Sequence, residues 1–139
     1  MIEVTWANAE KNIVLWKFPS QWMWHDFFAA LKEVDTLIDG VEGIVDSIFL
    51  TSQEQAIPQG GIRNFKLILA RRHARHGLII LVGAKTLLVS LLGIVLKLIP
   101  NARPQMHFVQ SEAEAYALIA AAQQQRLQDR ASQVAGNAV

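Results

Sequence analysis

Cysteine is absent from the 139-residue chain, which excludes disulfides, thiolate metal sites and thiol nucleophiles together. A dominant charge is missing too. Thirteen Lys and Arg stand against twelve Asp and Glu, a formal net charge of +1, so no global field draws the protein to nucleic acid, and no nucleic-acid partner is expected. The amino terminus, MIEVTWANAEKNIVLW, lacks the cationic start and continuous apolar run of a secretory signal, so a cytoplasmic location is expected. Leu78 to Ile99 is the one stretch that could pass for a membrane span. Gly83-Ala84-Lys85 divide it into a strand-sized and a helix-sized piece, each shorter than the roughly 20 residues a bilayer requires. No transmembrane segment is expected.

Catalytic signatures are equally scarce: there is no Gly-x-Ser-x-Gly elbow, no His-Glu-x-x-His helix, no P-loop lysine and no spaced Gly-x-Gly-x-x-Gly. His25 and Asp26 are sequence neighbours, about 100° apart on a helix, and imply no relay. His73 and His76, three apart, could chelate an ion but have no third ligand nearby. The chain is therefore expected to be no enzyme, with no catalytic residue, cofactor or metal.

Apolar side chains are plentiful, at 52% of the chain against 18% charged, enough for one domain with a substantial core. Ile2–Trp6 and Ile13–Phe18 read as a β-hairpin. Ser20 can cap a helix carrying Trp24, Phe27, Phe28, Leu31, Val34 and Ile38 at three- and four-residue steps, ended by Gly40. Ile44–Leu50 is apolar on both faces, as a central strand is. Ile62, Phe65, Ile68 and Leu69 mark a helix whose basic exit, Arg71 to His76, is closed by Gly77 as a stop. Leu78–Val82 is a second central strand, Thr86–Ile99 a widely apolar helix, and Met106–Val109 a last strand. Ser111 and Glu114 form a capping box on the final helix. The order predicts an α/β fold: an N-terminal β-hairpin, then alternating βα units, with a mostly parallel, mixed sheet of about five strands and about four helices. Residues 1–127 are expected to form a single domain and 128–139, with almost nothing to bury, a flexible C-terminal tail.

That order, with IRNFKLILARRHARHG, the strand LIILVGA, an apolar helix, a Pro-containing turn, and a strand followed by SEAEAYALI, resembles the STAS domains, whose stand-alone bacterial type is the anti-sigma factor antagonist. The resemblance implies a regulatory or scaffolding module acting by protein–protein interaction. The family's Asp-Ser-Ser-Gly motif, whose serine is phosphorylated, corresponds here to Pro58-Gln59-Gly60-Gly61, so its phospho-switch is not carried over. Thr51 and Ser52 are the nearest hydroxyls.

A protein partner or self-association is expected around Gln53–Asn64, with Gln59, Gly60, Gly61, Arg63 and Asn64 as candidate binding residues. The two glycines could offer backbone N–H groups to an anion beside Arg63, or simply satisfy a tight turn. The aromatic run Trp16–Phe28 is too dense for one helix face, which makes Trp22 and Met23 candidate interface residues. A different reading is a lipid or other apolar ligand held between the Thr86–Ile99 helix and the tryptophan-rich helix, since STAS domains resemble Sec14-type lipid-binding domains in architecture. A third, peripheral membrane attachment through the apolar helix, needs flanking cations, of which Lys85 and Lys97 supply two.

Overall fold

The computed structural model describes residues 1–51, 57–84, 86–99 and 105–137. The elements are β1 (Glu3–Trp6), β2 (Ile13–Lys17), α1 (Trp24–Asp39), β3 (Val45–Leu50), α2 (Gly61–Arg71), β4 (His76–Val82), α3 (Thr86–Leu98), β5 (Met106–Val109) and α4 (Glu112–Asn137). They build the expected α/β architecture of five strands and four helices. The stretch from Leu78 to Ile99 is divided into β4 and α3, and no helix among the described residues is long and apolar enough to cross a membrane.

Strand order follows the chain, β1-β2-β3-β4-β5, with β1 antiparallel to β2 and every later neighbour parallel. Alternation along the strands separates two cores. One face, including Val14, Trp16, Val45, Phe49, Ile79 and Leu81, packs against α1, α2 and α3 through side chains such as Phe27, Val34, Phe65 and Val95. On the other, Ile13, Ile48, Ile80 and Val109 meet Ala115 and Ile119 of α4. Three successive crossovers thus place their helices on one side, and α4 crosses the opposite side.

Two local expectations are corrected. Ser20 does not cap α1, which begins at Trp24; Asp26, in its first turn, accepts the Met23 N–H at 2.8 Å, and this bond holds the Asp26 carboxyl below the usual carboxylate range. Gly77 is no helix stop, because α2 ends at Arg71 and β4 already runs from His76. It lies where the β3–β4 register shifts, two residues opposing Asp46, and a Cβ there would meet Asp46 Oδ1 and stand 2.6 Å from Ile44 Cγ2. The glycine serves a close approach of chains. α4 runs to Asn137, and its residues 127–136 are exposed. Its Ala, Gln and Arg residues favour helix without tertiary support. At the start of α4 the Ser111 Oγ accepts the Glu114 N–H at 3.2 Å, while the Glu114 carboxylate reaches the Gln110 N–H, one residue before the cap.

Candidate functional site

The starts of α1 and α2 meet at the carboxyl ends of the parallel strands. Trp24 joins them. Its indole N–H donates to the Gln59 carbonyl at 2.6 Å, and its ring stands edge-on to Phe65 at 4.9 Å. Gly60 precedes α2 with φ +88°, a left-handed conformation that a Cβ disfavours, and its carbonyl accepts both the backbone and side-chain N–H of Asn64 at 2.9 Å. Gly61 lies against Leu91 of α3. The candidates Gln59, Gly60, Gly61 and Asn64 are thereby brought to the same corner as the start of α1, with Arg63 exposed in the first turn of α2.

Trp22 and Met23 separate. Trp22 is buried, 5.0 Å from the Trp24 ring and 5.7 Å from Phe18, and its enclosed indole nitrogen has no partner among the described residues. Met23 is 56% exposed and Ile62 41%. The aromatic run is thus mainly core, and the outward apolar surface of the corner comes from Met23 and Ile62. Thr51 donates its hydroxyl to the Val82 carbonyl at 2.8 Å; Ser52 and positions 53–56 of the expected loop lie outside the described residues.

A second polar assembly, passed over in the sequence, occupies the amino ends of β3 and β4. Asp46 is fully buried; its Oδ1 accepts the Leu78 N–H and an Arg126 N–H, both at 2.7 Å, and its Oδ2 accepts a second Arg126 N–H at 2.9 Å. This fork–fork pair ties α4 to the sheet. On the opposite face the Trp16 indole donates to Ser47 Oγ at 3.0 Å, and Ser47 Oγ lies 2.6 Å from His76 Nε2. Among the described residues the buried His76 Nδ1 has no partner, so an imidazolium would carry an unshared proton. Burial, helped by the Arg72 charge, pushes the His76 pKa down to about 4. A serine beside a neutral histidine invites a nucleophile reading. Yet Ser47 is fully enclosed, and Asp46 projects from the other face of β3, so no Ser-His-Asp relay assembles.

His73 and His76 diverge: His73 bonds Asp39 at 2.7 Å from the turn after α2, while His76 lies against Ser47. Among the described residues no three His, Asp or Glu are grouped for a metal. His25 does approach Asp26, at 3.4 Å, but from an exposed helix end. Arg75 acts as a cap for α1: its guanidinium donates to the carbonyls of Ile38, Val41 and Gly43 at 2.7–3.0 Å.

An open cleft of about 310 Å³ is lined by Arg75, His76, Gln105, Gln125 and Arg126 among others. It lies towards α4. The expected apolar gap was between α1 and α3, whose Phe27, Val34, Leu92 and Val95 share one packed cluster. Strand order also bears on binding. Ligands of open α/β sheets sit in the crevice where strand order reverses, and among the described residues the order runs straight from β1 to β5 with no such reversal. No protein-family model, curated protein or solved structure matches the chain.

Proposed function

We propose that the chain is a non-enzymatic, STAS-like regulatory or scaffolding module that binds a protein partner through the corner shared by α1 and α2, without the family's phospho-switch. The observation that carries the reading is the Trp24–Gln59 bond, which holds exposed Met23 on one side of a seam and Gln59, Gly60 and the first turn of α2 on the other. A rigid aromatic anchored beneath small and apolar surface residues is the arrangement partners use. The straight strand order and the enclosure of Ser47 and His76 also favour recognition at a surface over chemistry in a crevice.

The test is comparative capture from the native cell extract, with the full chain, Met23→Asp, Ile62→Asp, and Lys11→Gln on the distant hairpin as bait. A protein retained by the full chain and Lys11→Gln but lost from both corner variants supports the reading. Identical protein sets on all four baits reject it.

A further inference from the structure

The near-zero net charge conceals a separation. All twelve acidic residues lie outside positions 55–111, a segment that holds eight of the thirteen Lys and Arg. The fold gathers part of that segment onto one surface. α2 exposes Arg63, Lys66 and Arg71, and neither α2 nor α3 contains an acidic residue. The two helices pack side by side, Gly61 against Leu91.

α3 is unlike an ordinary surface helix. It buries Leu92, Val95 and Leu96 towards the sheet, yet also turns Ile94 and Leu98 outward at 49% and 53% exposure, beside exposed Lys97. A helix apolar around most of its circumference needs an apolar environment on its outer side as well. At thirteen residues it is shorter than the roughly 20 a bilayer crossing requires.

We propose that the outer face of α2 and α3 docks on an anionic lipid bilayer, with Ile94 and Leu98 entering the headgroup–acyl boundary and Lys66, Lys97 and Arg63 meeting the acidic headgroups. The apolar helix supplies the inserted stripe, and most of the flanking cations come from its neighbour in space. Lys97, one position before Leu98, can extend its stem along the apolar surface while its ammonium stays among the headgroups. Nucleic acid shares the charge preference but is a poorer match, because α2 and α3 expose no aromatic ring on which a base could stack.

Co-sedimentation with unilamellar vesicles of phosphatidylcholine, with and without phosphatidylglycerol, tests this directly. The expected result is partition onto the anionic vesicles, weakened by added NaCl, and little onto the neutral ones. Each cation near an anionic surface contributes about a fivefold factor, so Lys66→Gln with Lys97→Gln lowers the partition coefficient about 25-fold. Ile94→Ser with Leu98→Ser lowers it about tenfold or more, while Lys11→Gln with Lys17→Gln on the hairpin leaves it unchanged. Near-ultraviolet circular dichroism of the tryptophans verifies that each variant is folded. The proposal is overturned if the full chain ignores anionic vesicles, or if the hairpin variant loses as much binding as the helix variants. It is equally overturned if binding to RNA or polyglutamate exceeds vesicle binding and is indifferent to Ile94 and Leu98, which would make the face a polyanion site.

Discussion

At the scale of single residues, the buried polar groups of β3 and β4 set the strongest constraints. Removing Arg126 leaves the Asp46 carboxylate buried with only the Leu78 N–H for a partner, so Arg126→Met is expected to cost about 3 kcal/mol. The double variant Asp46→Asn, Arg126→Met removes the stranded charge and recovers part of that loss, about 1–2 kcal/mol, as a denaturant double-mutant cycle would read out. His76 gives a pH signature. Its folded pKa of about 4 lies below the ordinary 6.5, so the unfolded chain binds the extra proton between those values. Its contribution is unchanged above pH 6.5 and is lost as pH falls towards 4, about 3 kcal/mol in all. Urea midpoints across this window should fall with acid in the parent and fall distinctly less in His76→Gln. Arg72 is partly responsible for the depression, so Arg72→Met should move the His76 titration upward when followed by the NMR signal of its ring proton. None of these contacts is legible in the sequence. Asp46 and Ser47 lie within a strand recognised by its apolar residues, and the partners that explain them are 80 and 29 positions away.

At the scale of elements, regular structure followed from periodicity, whereas the ends of elements depended on contacts. β3, β4 and α3 were readable because apolar residues on both faces have one physical meaning in a layered α/β fold. Gly77 was misread because a glycine that avoids a clash and a glycine that terminates a helix look alike in the chain; only Asp46 pressed against it distinguishes them. Gly77→Ala should consequently cost about 1–3 kcal/mol by overpacking, where a mere helix terminus would tolerate the methyl group. The end of α4 carries no burial signal, because this helix continues beyond its last contact with the sheet. Ala115 and Ile119 are its buried residues and Arg126 its polar tie, beyond which every described side chain is exposed. Deleting residues 128–139 should therefore change the unfolding free energy by less than about 0.5 kcal/mol in urea titration. Amide exchange should show protection along α4 falling off after Arg126.

At the scale of the whole molecule, a straight strand order and a segregated charge distribution act together. The corner of α1 and α2 was legible in part: the glycine turn and its polar neighbours announced themselves, but Trp24, which unites them, looked like one more core aromatic. The basic helix face was legible only in its apolar helix and Lys97, because net charge sums over the chain and the other flanking cations, Arg63 and Lys66, sit on a different helix. Concentrating like charges has an energetic consequence that the lipid experiment does not probe. Arg71, Arg72 and Arg75 crowd the exit of α2, and a buried guanidinium nitrogen of Arg72 has no partner among the described residues. Repulsion among exposed cations is screened as the Debye length shrinks from about 10 Å at 0.1 M salt to about 3 Å at 1 M. The Asp46–Arg126 pair, buried on its acidic side, is screened much less. NaCl should therefore raise the melting temperature by a few degrees over that range, and the rise should shrink in Arg71→Gln. A fall in melting temperature with salt would mean that favourable surface ion pairs outweigh the crowding at this exit.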